Sequence, residues 1–166
     1  AIDDLDLGPL ISPKQKIVVE RYIAHGVESG LKIAAQGLIS DDCPSAGCYV
    51  APTLFRDVPP DHKLAQEEIF GPIQVAIPFD TEEEAVNLAN GTEFGLVTGV
   101  WTRDGSRQLR MAKAIKAGQI FINNYGAGGG VELPFGGVGK SGFGREKGFE
   151  ALYGFSVLKT IAAYHG

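Results

Sequence analysis

The chain has 166 residues, 44% apolar and 21% charged, which fits a globular domain with a real core and excludes a disordered segment. Its formal net charge of −5 and pI near 5.2 argue against nucleic acid or an anionic membrane surface as partner, because no basic stripe is present to release counterions from phosphates. Every apolar run falls short of the roughly 18 residues a membrane span needs, and the acidic start AIDDLDLGPL is unlike a signal peptide, so a soluble, cytoplasmic protein is expected.

The first predicted element is a helix opening at Ser12-Pro13, with Ser12 as N-cap, Pro13 at the first helical position and Gln15 three residues after the cap. Ile17, Val18, Tyr22, Ile23 and Val27 follow at near-helical spacing, and Gly30 closes the helix. A short strand, LKIAA, comes next. After a polar turn over 40–47 the run YVAPTLF reads as a second strand, which Pro52 demotes towards a sheet edge.

From Ile73 the pattern becomes regular: strand IQVAIP, helix EEEAVNLAN with Thr81 and Glu84 as a capping box, strand LVTGVW, a helix from Ser106 to Lys116, then strand QIFIN. This β-α-β-α-β order predicts an α/β fold, a layered and mainly parallel sheet with flanking helices. The final FSVLKTIAAY reads as another strand, dividing the chain into a main portion, 1–154, and a terminal strand, 155–166, that invites pairing with a second chain.

After QIFIN the sequence changes character. Residues 119–148 hold ten of the 23 glycines, a concentration that marks unusual backbone angles or close approach of the backbone to another group, and they lead to a charged helix start at Arg145-Glu146-Lys147. In parallel sheets ligands lie beyond the carboxyl ends of strands, where this loop begins. Gly137-Val138-Gly139-Lys140-Ser141-Gly142 matches G-x-G-x-x-G, yet no buried strand feeds it directly and no acidic residue follows Glu150. Gly139-Lys140-Ser141 resembles the end of a P-loop, but Pro134 occupies the place of the first required glycine. Lys140 and Arg145 are left as anion ligands or, more commonly for such charges, ion-paired structural groups.

Gln66-Glu67-Glu68-Ile69-Phe70-Gly71-Pro72 sets two carboxylates beside an aromatic and a turn. Were this segment extended, Glu68 and Phe70 would share a face; a carboxylate can accept from both hydroxyls of a ribose diol, and a ring can lie against a planar base. On residue chemistry alone a charged turn with a core phenylalanine is the better-supported reading. Cys43 and Cys48 are too few for a disulfide framework and lack partners for zinc, so free thiols and no metal site are expected. His25, His62 and His165 have no catalytic grouping in sequence. Met111 is the only methionine, so the chain does not begin at a translation start and reads as a processed product or a fragment.

Three motifs in order carry a resemblance: Glu67-Glu68-Ile69-Phe70-Gly71-Pro72, PFGG at Pro134 to Gly137, and SGFGRE at Ser141 to Glu146. With DLGPLIS at Asp6 to Ser12, FGLVTGVWTRD, AGQIFINN and the terminal LKTI, the chain resembles the C-terminal third of the NAD(P)-dependent aldehyde dehydrogenase superfamily over nearly its whole length. The resemblance implies that Glu68 holds the nicotinamide-side ribose of NAD or NADP and that Phe70 contacts the nicotinamide end, reversing the bland reading. It implies too that Tyr125, Gly128, Gly129 and Phe135 border the tunnel for a small-molecule aldehyde, and that the terminal strand serves a homo-oligomer. The family's cysteine nucleophile sits in a G-Q-x-C setting that neither Cys43 nor Cys48 matches, so no catalytic residue is expected here and the chain alone should be inactive. Two other readings stay open: a non-catalytic assembly protein on the same fold, and an acylating enzyme whose thioester passes to coenzyme A or phosphate.

Overall fold

A computed structural model describes residues 7–125 and 130–166, which separate into two compact units, one ending at Phe79 and one beginning at Asp80. The first is built under helix α1 (Pro13–Glu28). Ser12 caps it by accepting from the Gln15 N–H at 3.2 Å, and Gly30, in the left-handed region at φ +83°, ends it.

Below α1 lies a three-stranded sheet in the order β1 (Lys32–Gln36), β2 (Thr53–Arg56), β3 (Ile73–Ala76), with β1 antiparallel and β3 parallel to β2. The strand predicted to be an edge is therefore the central one. Pro52 stands just before the first paired residue, so its missing N–H costs the ladder nothing, while its carbonyl accepts from Gly37 at 2.8 Å. A single turn of helix, α2 (Lys63–Gln66), connects β2 to the segment before β3; it is capped by His62, whose Nδ1 accepts from the Leu64 N–H.

Phe55, Val58 and Leu64 form the core of this unit, ringed by Tyr22, Ile23, Ile69, Ile73 and Val75. The helix reaches it through Val19 and Gly26, and a Cβ at Gly26 would stand 2.8 Å from Cζ of Phe55. The inward face of α1 is thus Gln15, Val19, Tyr22, Ile23 and Gly26. Two of the apolar residues the periodicity selects, Ile17 and Val27, face solvent.

The second unit holds α3 (Glu82–Ala89), β4 (Phe94–Gly95), β5 (Val97–Val100), α4 (Gly105–Ala114), β6 (Gln119–Ile122), β7 (Val138–Gly139) and α5 (Glu150–Gly154). Thr81 caps α3 as its sequence indicates, and β5 pairs in parallel with β6 across α4, the expected right order of a β-α-β crossover. Among the described residues the strands lie in three separate ladders; the short antiparallel pair β4–β7 has no counterpart in the sequence reading.

The glycine-rich stretch packs backbone on backbone. A Cβ on Gly118 would run into the Gly136 carbonyl, and Gly139, Gly142, Gly144 and Gly148 all take positive φ. SGFGRE does not start a helix. Glu146 exchanges backbone hydrogen bonds with Phe135 at 2.6 and 2.7 Å, Lys147 turns at φ +60°, and α5 begins only at Glu150. Nor does FSVLKTIAAY form a strand: beyond α5 residues 156–166 are without secondary structure and exposed, so the strand predicted there has no partner among the described residues. No helix among the described residues is long and apolar enough to cross a membrane.

Glu82, at the start of α3, receives Arg110 at 2.6 and 2.8 Å and Arg107 at 3.1 Å from α4. The Arg110 hydrogen bond, aided by Arg107, holds its carboxyl at about 2 instead of 4.5. A carboxylate depressed in the folded state binds protons more readily when unfolded, so its stabilisation is present above the ordinary value and disappears as pH falls towards about 2. Urea denaturation should therefore find Glu82→Gln less stable than the parent chain near neutrality, with the gap closing steadily below about pH 4.5. A gap that does not change with pH would rule this ion pair out as its source.

Candidate functional site

The Glu67–Gly71 turn leaves α2 and crosses the front of α1. Glu67 still has extended backbone, but Phe70 takes φ +56°, so the chain is not a strand here and simple alternation does not bring Glu68 and Phe70 together. Both border one hollow of about 390 Å3, together with Leu64, Glu67, Ile69, Gly71, Ile73 and Val75. Phe70 is 74% exposed and does not join the core, so the bland reading of a core phenylalanine is wrong for this chain.

The two neighbouring carboxylates have separate fates. Glu67 accepts from the Tyr22 hydroxyl at 2.5 Å and lies 3.8 Å from Lys63 Nζ. The same bond to Glu67, together with some burial, pushes the Tyr22 hydroxyl above its usual range. Glu68 is exposed and has no hydrogen-bond or ion-pair partner among the described residues. An unpaired carboxylate beside an open aromatic face can accept two hydroxyl donors while the ring covers an adjoining flat group.

The turn is fixed from α1 at three points whose part in it sequence reading did not foresee. Gln15 Nε2 donates to the carbonyls of Ile69 at 2.9 Å and Phe70 at 3.2 Å. Val19, wholly buried, presses its methyls against Gly71, leaving no space for a Cβ there. Tyr22 holds Glu67. Only their spacing along one helix face, 15, 19 and 22, could have marked them.

The remaining predicted site residues belong to the second unit. Tyr125 follows the carboxyl end of β6 and is exposed. The strand end before it is secured by Asn123, at φ +49°, whose carboxamide bonds both the N–H and the carbonyl of Thr102. Gly128 and Gly129 lie outside the described residues. Phe135 is half-buried, with Lys147 Nζ 5.5 Å over its ring, and its backbone is pinned to Glu146. Lys140 pairs with Glu93 and Arg145 donates to the carbonyls of Gly137 and Gly144, so both cations have structural duties. Cys43 and Cys48 are free and half-buried. Among the described residues no three His, Cys, Asp or Glu converge as metal ligands.

Sequence comparison matches residues 1–161 to the model of the aldehyde dehydrogenase family. The betaine aldehyde dehydrogenase of Agrobacterium fabrum is 44% identical over 155 residues, which make up 93% of this chain and 31% of that protein. Among solved structures, one from Burkholderia cenocepacia designated an aldehyde dehydrogenase shares 62% identity at a TM-score of 0.92, covering 98% of this chain and 34% of that one. The Mycobacterium tuberculosis aldehyde dehydrogenase complexed with NAD+ shares 42% identity at 0.83, covering 90% and 30%. The chain spans about a third of the length of the relatives it matches.

The contact under the turn can be measured directly. Gly71→Ala should destabilise the chain by about 1–3 kcal/mol through overpacking against Val19, as read by chemical denaturation. The loss should shrink when Val19→Ala makes room, and additive effects in the double variant would show that the two positions do not share that space.

Proposed function

Because the chain belongs to the aldehyde dehydrogenase family, we propose that it is the C-terminal part of the catalytic domain of an NAD(P)-dependent aldehyde dehydrogenase and supplies one wall of its nicotinamide and aldehyde sites. The observation that carries the reading is Glu68, exposed and without a partner among the described residues, on a turn where the adjacent Glu67 is already engaged. Its carboxylate accepts the two hydroxyls of the nicotinamide-side ribose, and the Phe70 ring lies against the nicotinamide end. The cofactor, when bound, takes up the hydride released as an aldehyde is oxidised to an acid. This chain's residues contribute binding and orientation to that chemistry.

The aldehyde is a small molecule, and Tyr125, Gly128, Gly129 and Phe135 are the residues assigned to its site. A thiolate nucleophile in the family's G-Q-x-C setting is not among these 166 residues, so the chain by itself does not turn over aldehyde. The terminal residues serve assembly. Phe155, Val157, Leu158, Ile161 and Tyr164 are all more than four-fifths exposed on a tail with no secondary structure, and pairing with a second subunit covers them.

In the full-length enzyme Glu68→Gln should raise the dissociation constant for NAD(P)+ by about tenfold or more, since charge-assisted hydrogen bonds are lost, and leave the aldehyde KM little changed. Calorimetry giving the parent affinity for Glu68→Gln would remove the ribose assignment. For the tail, deletion of 156–166 should lower the oligomer mass in sedimentation; an unchanged mass would place the subunit contact elsewhere.

A further inference from the structure

We propose that His62, with Ser29 and His25, forms an acid-sensitive latch between the end of α1 and the start of α2, closed by the neutral imidazole and opened when the ring takes a proton from solvent. The inference stands apart from the cofactor reading. The two histidines have no grouping in sequence, but the fold stacks them, with ring centroids 5.4 Å apart and planes 29° from parallel. His25 lies in the last turn of α1, and His62 is the N-cap of α2.

Each nitrogen of His62 has its own partner. Nδ1 accepts the Leu64 N–H at 3.1 Å, and Nε2 lies 2.9 Å from Ser29 Oγ. Nδ1 must keep its lone pair to accept from a backbone N–H, so the single proton of the neutral ring sits on Nε2 and is donated to Ser29. The serine oxygen is free to receive it, because its own proton goes to the carbonyl of His25 at 2.7 Å, with that of Gly26 at 3.0 Å. One chain of donors thus runs from the start of α2 through the imidazole to the end of α1.

A second proton can enter only at Nδ1. There it would face the Leu64 N–H, donor against donor, and the cap is lost. Serine, threonine or asparagine would cap this helix at any pH near neutrality, whereas imidazole changes its charge in that range. The surrounding groups do not compensate a charged ring. From α1 it faces His25, itself titratable and repulsive when both rings are charged; along the chain it lies between Asp61 and Lys63, and Lys63 is turned to Glu67 and Tyr22. Among the described residues no ion pair includes either histidine.

The closed latch accepts only the neutral ring and the released ring takes a proton freely. It is therefore closed above the ordinary imidazole range and opens as pH falls through it. Opening frays α2, which is only four residues long, while Leu64 stays anchored in the core. The fraying reaches Glu67, whose N–H is held by the Lys63 carbonyl at 3.0 Å.

Amide hydrogen exchange in the full-length enzyme tests the latch, read as protection factors so that the intrinsic effect of pH on exchange divides out. Protection over 62–67 in the parent should fall by about fivefold between about pH 7.5 and about pH 5.5, the worth of one helix cap. His62→Asn keeps a capping oxygen that does not titrate and should hold parent-like protection at both pH values. His62→Ala has no acceptor and should show the low protection at both. Peptides over 97–100 and 119–122 should not respond. Flat protection in the parent overturns the proposal, as does a fall in either variant that matches the parent's. An equal fall over 97–100 and 119–122 overturns it too, because the change would then be global and not a local release.

Discussion

Between Val19 and Gly71 there is no room for one more carbon atom, and the same intolerance recurs two turns further along α1, where Gly26 admits the ring of Phe55. The first unit depends on this closeness. A helix seated so tightly cannot shift along the turn it covers without overlapping atoms, so the positions of Gln15 and Tyr22 are set by packing before either makes a hydrogen bond. The polar contacts then refine what the close packing has already located. They add modest stability each but impose direction, which packing alone does not supply.

The outcome is a division of labour between two adjacent, chemically identical side chains. Glu67 is engaged locally, accepting from the Tyr22 hydroxyl and lying beside Lys63. Glu68 keeps its full capacity to accept, beside a ring that packing has left outside the core. A pair of free carboxylates would repel each other and anything anionic; one engaged and one open gives a directed acceptor with less local charge. The glycine-rich stretch of the second unit works by a different rule. Its Lys140 and Arg145 are committed to Glu93 and to carbonyls, and its glycines serve backbone-to-backbone approach, so it contributes shape.

How much of this was legible in the sequence divides along physical lines. Helices with caps declared themselves: Ser12, Thr81 and Gly30 act where their chemistry says, since capping is decided by a few neighbouring atoms. The β5-α4-β6 crossover was equally readable, because local hydrophobic runs and a helix between them leave few topologies. What stayed hidden is non-local. The burial of Val19 in place of Ile17 follows from a rotation of α1 that only its tertiary contacts impose; the spacing marked Tyr22 and Ile23 on the inward face, but Gln15 and Gly26 beside them are not apolar signals. The left-handed Phe70 was unreadable for the same reason: a phenylalanine carries no local preference for positive φ, and partners more than 50 residues away in sequence stabilise it. The motifs around Glu68 and Phe135 thus pointed to a family, while the way the chain orients them required coordinates. The terminal run shows the limit in the other direction: its composition reads as a strand, but a strand needs a neighbour, and among the described residues it has none.

The hydroxyl of Tyr22 resting on Glu67 has a consequence on an evolutionary timescale. Because the two groups answer to each other, lineages can exchange them together, a phenylalanine with a neutral side chain being as self-consistent as the present pair. Glu68 has no such internal counterpart to drift with. Across diverging descendants, positions 22 and 67 should wander as a couple, while position 68 is left to constraints from outside the fold.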